Sequence, residues 1–352
     1  MERVEKILAG DTQAAYLLAK QVDAGVDVET EDLEALWEAH GEALQQFATL
    51  RAMMDDGFEP PEESPAQSLL DLKIELADRF IRNCGLCEQD CFVDRSVRDD
   101  GKCRVGYFPR IARAAVDPEA AAEISPALTV YFTGCNFTCF YCNAAEMAFH
   151  PEAGEEITPD DLAARIEEHF APARALKFTG GEPSIQIHYI LNALRPLELN
   201  TPVVLHTNGY WTQEIGSLLE GAVDRAIVDF KFGKGECAKF VAGAERYWDT
   251  LTRNLKHAQT YDVLVRHVVL PGHVECCTMP ILNWVSGEAE LRSVAATVAE
   301  DLPIARAGFN LQLLFTYEPA ADALSRPAYN RTVSDEEREA VTAYARSLQE
   351  SP

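Results

Sequence analysis

The sequence predicts an α/β protein whose core is a partial (β/α)6 barrel of the TIM type. From about residue 127, six short β-rich runs alternate with helical stretches, which is typical of parallel βαβ units. Polar or glycine-rich motifs follow several of these runs, at the end where such barrels carry their functional groups. The runs are ALTVYFT (127–133), ALKFT (175–179), PVVLHT (202–207), RAIVDFKF (225–232), DVLVRHVVL (262–270) and FNLQLLF (309–315).

Helical and cysteine-rich segments precede the barrel. In the first 57 residues, apolar side chains such as Leu33, Leu36 and Trp37 recur at helical spacing, and Ser68 is a possible cap of another helix over 68–83. The run PPEESP (60–65) predicts a linker between these helices. We therefore predict four regions, listed in chain order: a helical N-terminal domain (1–82), a cysteine-rich metal-binding segment (83–126), the barrel (127–332) and a C-terminal helix (333–352).

The composition excludes some classes of partner. The chain has 352 residues and a formal net charge of -26, which disfavours a nucleic-acid partner because phosphate backbones bind to basic surfaces. No uncharged apolar run reaches the roughly 18 residues of a transmembrane helix. The N-terminus MERVEKILAGDTQ has no apolar core of the signal-peptide type. We expect a cytoplasmic location, with neither nucleic acid nor membrane as a partner.

Four of the ten cysteines follow the N-terminal helices at the spacing C-x2-C-x3-C-x11-C. Clustered cysteines in a reducing compartment usually indicate metal or redox chemistry rather than disulfides. Four thiolates can close a tetrahedron around a metal, and such sets serve zinc and iron–sulfur clusters alike. The sequence predicts a metal site with no open position, holding zinc or a second iron–sulfur cluster, at Cys84, Cys87, Cys91 and Cys103.

Three more cysteines follow the first predicted strand in GCNFTCFYCN (134–143), at the spacing C-x3-C-x2-C of Cys135, Cys139 and Cys142. One interpretation is a structural zinc with a fourth ligand from elsewhere in the chain. The other is a [4Fe–4S] cluster with three protein thiolates and one open iron. A catalytic cluster requires an open iron because a substrate or cofactor must bind the metal directly. The position at a strand end favours the cluster.

This motif resembles the cluster motif of the radical S-adenosylmethionine (SAM) superfamily, in which an aromatic residue, here Tyr141, commonly precedes the third cysteine. The resemblance implies that the methionine part of SAM chelates the open iron. It also implies that one electron from the reduced cluster cleaves SAM to a 5′-deoxyadenosyl radical, which removes a hydrogen atom from a substrate. An electron donor such as ferredoxin or flavodoxin is implied as a partner.

Motifs at later strand ends extend the resemblance to pyruvate formate-lyase activating enzymes. TGGEP (179–183), HTNGYW (206–211), DFKFG and VRHVVLPG (265–272) occur in the order found in that group, and RPAYN (326–330) follows the last strand. Two glycines allow a close approach of backbone to a ligand. The resemblance implies a set of SAM-binding residues, which comprises Tyr141, Gly180, Gly181, Glu182, Thr207, Asn208, Asp229, Lys231 and His267.

The substrate is not fixed by these motifs. The resemblance implies a glycine of a partner protein or a peptide, and the alternative is a small-molecule metabolite or cofactor precursor. The N-terminal domain could dock such a partner or cover a small-molecule site. A radical SAM methyltransferase is disfavoured because no cobalamin-binding motif precedes the barrel. A non-catalytic zinc-binding interaction protein would not explain the ordered motifs.

Three cysteines remain, Cys237 after the fourth predicted strand and the pair Cys276 and Cys277 after the fifth. The predicted topology places both loops at the face of the barrel that carries the motifs. They could form an auxiliary metal site, supply a hydrogen donor or a covalent anchor, or be incidental.

Overall fold

The computed structural model describes residues 2–58, 64–99, 101–118, 124–258, 261–287 and 310–350. Within them, eight strands form one sheet in the order β3-β1-β2-β4-β5-β6-β7-β8. The strands are β1 (Arg110–Asp117), β2 (Ala127–Phe132), β3 (Glu155–Glu156), β4 (Ala175–Gly180), β5 (Val203–Thr207), β6 (Arg225–Asp229), β7 (Asp262–Val268) and β8 (Asn310–Leu314). Most of the predicted linker at 60–65, and Phe309 of the last predicted run, lie outside the described residues.

All six predicted strands are present, and they pair in parallel with their neighbours in chain order. This arrangement confirms the α/β core and is consistent with a partial barrel. β2, β4, β5 and β6 are almost entirely buried, as expected of parallel strands covered on both faces.

The sheet also contains two strands that the sequence analysis missed. β1 runs antiparallel to β2 over the pairs from Ile111–Phe132 to Asp117–Ala127, and β3 pairs with β1 through two residues. The run RIARAAVD escaped notice because it lies near the sheet edge, is largely half-exposed, and therefore lacks a continuous apolar pattern.

The helices surround the parallel strands. Ser68 caps α4 as predicted, since its backbone N–H and hydroxyl pair reciprocally with Asp71. The helices are α1 (Glu2–Ala9), α2 (Ala15–Ala19), α3 (Leu33–Asp55), α4 (Leu69–Ile81), α5 (Ala145–Ala148), α6 (Pro159–His169), α7 (Ile187–Leu194), α8 (Gln213–Leu219), α9 (Gly235–Ala242), α10 (Tyr247–His257), α11 (Met279–Gly287) and α12 (Asp335–Glu350), with a π-helix at Val274–Thr278. Of the helices described, none combines the length and the hydrophobicity of a membrane span.

The N-terminal helices share the barrel core. Val4 of α1 is fully buried against Ala127 and Ala175, the first residues of β2 and β4. The backbone N–H of Ala15 donates to Asp224 (2.9 Å), just before β6. These contacts place α1 and α2 at the starts of the parallel strands, opposite the ends that carry the motifs.

Candidate active site

The three cysteines of GCNFTCFYCN line one cavity of about 390 Å³ at the carboxyl ends of the parallel strands. Its volume lies within the roughly 300–1,000 Å³ of small-molecule sites. A larger and more open groove, lined by residues such as Arg98 and Phe108, contains no cysteine. Three of the described residues that line the 390 Å³ cavity are cysteines, a donor set that fits a cluster with three thiolates and one open position.

The cysteine loop is anchored to α9 by its backbone. The N–H groups of Thr138 and Phe140 donate to the carbonyls of Ala242 (2.9 Å) and Val241 (3.3 Å). Burial raises the pKa of the Cys135 thiol well above its usual value and that of Cys139 to about 12. The thiols are therefore protonated in the metal-free protein, and metal binding must release protons.

Two glycines at the end of β4 pack directly on the start of the cysteine loop. A Cβ on Gly180, whose φ is +115°, would lie 2.2 Å from the carbonyl oxygen of Phe132. A Cβ on Gly181 would lie 1.9 Å from that of Gly134. The backbone N–H groups of Gly181 and Glu182 donate to these same two oxygens, at 2.8 and 2.9 Å. The two glycines therefore allow the end of β4 to approach the start of the cysteine loop closely, which a residue with a Cβ would prevent.

Glu182 ties the end of β4 to the end of β5. Its side chain is buried, and its carboxylate accepts hydrogen bonds from the Thr207 hydroxyl and from the backbone N–H groups of Asn208 (2.8 Å) and Ser184 (3.0 Å). Burial raises the pKa of Glu182, although these hydrogen bonds oppose the shift. The Asn208 amide in turn donates to the side chain of Asn136 (2.7 Å) in the cysteine loop. The predicted residues Glu182, Thr207 and Asn208 thus hold the cavity wall in place.

A cationic group surrounds Asp229 at the end of β6. Lys231 Nζ lies 2.8 Å from one carboxylate oxygen, while His206 Nε2 (3.2 Å) and Arg266 Nε (3.8 Å) approach the other. Burial would raise the pKa of Asp229, but Lys231 and His206 hold it well below its usual range. Burial would lower the pKa of Lys231, but Asp229 raises it. A lysine and an arginine around one carboxylate leave excess positive charge for an anionic ligand.

His267 is not among the residues that line the 390 Å³ cavity. This side chain is buried away from the cavity, with Nδ1 2.7 Å from the carbonyl oxygen of Phe230 and Nε2 2.9 Å from the Thr278 hydroxyl. Arg266 pairs in register with Asp229 instead, so it shares the face of Asp229 while His267 points to the opposite face.

Residues that the sequence analysis did not select also line the cavity. Lys177 and Thr179 lie two residues apart on the same face of β4. Because side chains alternate between the two faces of a strand, this spacing was the sequence signal that could have identified them. His206 also lines the cavity and lies in the HTNGYW motif beside the selected residues Thr207 and Asn208. The unselected lining residues are Tyr131, Phe137, Asn143, Ala144, Met147, Lys177, Thr179 and His206.

The structure brings Cys84, Cys87, Cys91 and Cys103 together around a second, smaller internal cavity. This segment adjoins the cysteine loop, because the Gln89 amide donates to the carbonyl oxygen of Asn136 (2.7 Å). Burial raises the pKa of the Cys87 and Cys91 thiols.

Cys237, Cys276 and Cys277 also converge, as the topology predicted, and they do so around a residue that the sequence analysis did not select. All four ligand atoms of the three cysteines and His273 lie within 4.8 Å of one another. The signal for His273 was its position three residues before Cys276 in HVECC (273–277), whereas its partner Cys237 lies on another segment of the chain.

Comparison with known proteins gives a family for this arrangement. The family model described as the Radical SAM superfamily matches residues 129–285, from within β2 through the cysteine loop and β7 into α11. The uncharacterized protein MJ0674 of Methanocaldococcus jannaschii is 29% identical over 335 residues, covering 93% of this chain and 91% of that protein. A 7-carboxy-7-deazaguanine synthase of Bacteroides thetaiotaomicron is 35% identical over 85 residues, covering 24% of this chain and 42% of its own length.

Two solved structures have a more distant similarity. SuiB of Streptococcus suis bound to S-adenosylmethionine aligns with a TM-score of 0.41 and 13% identity, covering 60% of this chain and 45% of that chain. HydG, a maturase of the [FeFe]-hydrogenase, aligns with a TM-score of 0.41 and 13% identity, covering 99% of this chain and 64% of that chain.

Proposed function

The chain belongs to the radical SAM superfamily, and we propose that it is a hydrogen-abstracting enzyme whose Cys135, Cys139 and Cys142 hold a [4Fe–4S] cluster with one open iron. The observation that carries this proposal is the convergence of the three thiols, the paired glycines and the Asp229–Lys231 pair on one cavity. When bound, the reduced cluster and SAM supply the 5′-deoxyadenosyl radical that removes a hydrogen atom from the substrate.

The residues of the cavity have separate tasks in this proposal. Lys231, which lines the cavity, and Arg266, which does not line it but lies 3.8 Å from Asp229, supply positive charge for the SAM carboxylate. Asp229 keeps both cations in place and offers an acceptor to the SAM ammonium. Gly180 and Gly181 fix the distance between β4 and the cysteine loop. Glu182, Thr207 and Asn208 keep the strand ends and the loop in register, and Tyr141 forms part of the cavity wall. His267 acts through packing rather than through contact with SAM.

A protein glycine or a peptide is the substrate class that the strand-end motifs favour, because they follow the order found in activating enzymes. A small molecule is the second candidate. It is favoured by the partial relatives named 7-carboxy-7-deazaguanine synthase, which match 85 and 106 residues of this chain. Among the described residues of the proposed N-terminal domain at 1–82, none lines the cavity.

The proposed enzyme also has an electron donor and a second metal. We assign zinc or an iron–sulfur cluster to the site formed by Cys84, Cys87, Cys91 and Cys103. We also propose a ferredoxin or flavodoxin as the electron donor. The hydrogen bond from Gln89 to the carbonyl oxygen of Asn136 supports a role for the residues around Gln89 in holding the cysteine loop.

Anaerobic turnover tests the proposed function. The reconstituted protein is mixed with SAM and a strong reductant, and 5′-deoxyadenosine is measured by mass spectrometry. Wild type should form it, Cys139→Ala should form none, and Cys91→Ala should retain part of the rate if it folds. Absence of product from an iron-loaded wild type, with and without fractions of a cell lysate as substrate source, would refute the proposal.

A further inference from the structure

We propose that Cys237, His273, Cys276 and Cys277 bind a single Zn²⁺ ion, in a site separate from the 390 Å³ cavity. Cys237 lies on α9, His273 directly precedes the π-helix, and the two vicinal cysteines lie within it. Two of the four side chains are buried and two are half-buried. The inference does not depend on the radical chemistry proposed above.

The spacing of the four ligand atoms matches a tetrahedron around one ion. Zn–S and Zn–N bonds of about 2.3 and 2.0–2.1 Å at tetrahedral angles require S···S distances of about 3.8 Å and S···N distances of about 3.6 Å. Cys276 Sγ lies 3.7 Å from Cys237 Sγ and 3.9 Å from Cys277 Sγ. His273 Nδ1 lies 3.3 Å from Cys276 Sγ and 3.6 Å from Cys277 Sγ.

The same spacing disfavours an iron–sulfur cluster at this place. The thiolates of a four-iron cluster bind different irons, so their sulfurs lie farther apart than ligands that share one ion. Three thiolates and one imidazole, all from the protein, form a closed structural set of the Cys3His kind that zinc adopts.

A backbone contact and a hydrogen bond preorganise the site. A Cβ on Gly233 would lie 2.5 Å from the carbonyl oxygen of Cys277, so glycine is needed where the chain leaving β6 crosses the π-helix. His273 Nε2 lies 2.6 Å from the Tyr329 hydroxyl. When Nε2 carries the proton, it donates a hydrogen bond to the Tyr329 hydroxyl, and Nδ1 keeps a lone pair that can bind the metal. Protein hydrogen-bond partners orient metal-binding histidines in this way.

The zinc site would hold together the segments that pack beside the cysteine loop. It joins α9, to which that loop is anchored, with the π-helix and with Tyr329 of the RPAYN segment. The Tyr329 ring contacts Phe140, which lies between two of the cluster cysteines, at 4.6 Å between centroids. Zinc here would therefore restrain the cysteine loop without touching the cavity, which gives the RPAYN motif a structural role.

Zinc content tests the inference. The full chain is purified anaerobically without chelator, and zinc per chain is measured by mass spectrometry in wild type, His273→Ala and the matched control His169→Ala, whose side chain is exposed. His273→Ala should lose about one equivalent of zinc and the control none. Zinc X-ray absorption of a Cys84→Ala variant, which weakens the other thiolate site, should show three sulfur ligands and one nitrogen.

Tyr329→Phe keeps the test decisive if His273→Ala fails to fold. It should still bind zinc but release it at a roughly 10–100-fold lower chelator concentration, the usual effect of removing such a partner. Unchanged zinc content in a folded His273→Ala would overturn the inference. So would iron at these ligands, or a wild type that takes up no zinc there and carries a Cys237–Cys276 disulfide under the same anaerobic conditions.

Discussion

Replacing Gly181 by alanine tests whether the packing of β4 on the cysteine loop positions the active site. The added Cβ would lie 1.9 Å from the Gly134 carbonyl oxygen, and such contacts essentially never fall under 3.0 Å, so the two segments must separate by at least 3.0 − 1.9 = 1.1 Å. Gly134 directly precedes Cys135, so the shift is transmitted to the first cluster ligand. A displacement of about 1 Å in a reacting geometry can cost about 100-fold in rate.

The assay for this variant is the rate of 5′-deoxyadenosine formation per assembled cluster, with iron content and thermal unfolding measured alongside. Gly181→Ala should lose about 100-fold in rate. Gly235→Ala is the matched control, because an added Cβ there meets nothing within 4 Å. A Gly181→Ala variant with wild-type iron content and an unchanged rate would refute the argument that this contact positions the cluster.

Three further predictions follow from the described contacts. Arg266→Ala should weaken SAM binding measured by calorimetry, because it removes a positive charge beside Asp229. His267→Ala should chiefly lower the melting temperature, because both ring nitrogens are hydrogen-bonded away from the cavity. Equal losses of SAM affinity in the two variants would contradict this difference. Glu182→Gln should lower the free energy of unfolding by about 1–3 kcal/mol, since an amide N–H₂ would replace one of the oxygens that now accept hydrogen bonds; unchanged denaturant midpoints would speak against it. Burial lowers the pKa of Lys73 from 10.5 to about 7, so the unfolded chain binds this proton more strongly. Wild type should therefore gain unfolding free energy relative to Lys73→Met as the pH rises from 7 to 10, and a difference independent of pH would contradict the shift.

The parallel strands were predictable because a strand buried on both faces is a short apolar run with recognisable ends. The run PVVLHT became β5 (Val203–Thr207) within one residue at its start. β1 could not be predicted in the same way, because the charges of RIARAAVD hide a strand that is held by antiparallel pairing with β2. A half-exposed strand of this kind depends on its pairing partners for stability, and those partners are not visible in the local sequence.

The candidate site was predictable as a set of motifs but not in its internal contacts. The strand-end motifs located the cavity, because the carboxyl ends of parallel strands meet at one face. The choice between Arg266 and His267 depended on the register with β6, which local sequence does not encode. His273 lies beside Cys276 and Cys277 in the sequence, but its convergence with Cys237 and Tyr329 depends on how α9, the π-helix and the segment around Tyr329 pack together.

The most direct test of the central claim is the electron paramagnetic resonance spectrum of the reduced protein with and without SAM. A Cys91→Ala background weakens the neighbouring thiolate site, so that the signal comes chiefly from the cluster at Cys135, Cys139 and Cys142. An open iron predicts that SAM changes the g values of this signal and that Cys139→Ala abolishes it. A reduced four-iron cluster whose spectrum is unaffected by saturating SAM would contradict the claim that these three thiolates leave one iron open to the cofactor.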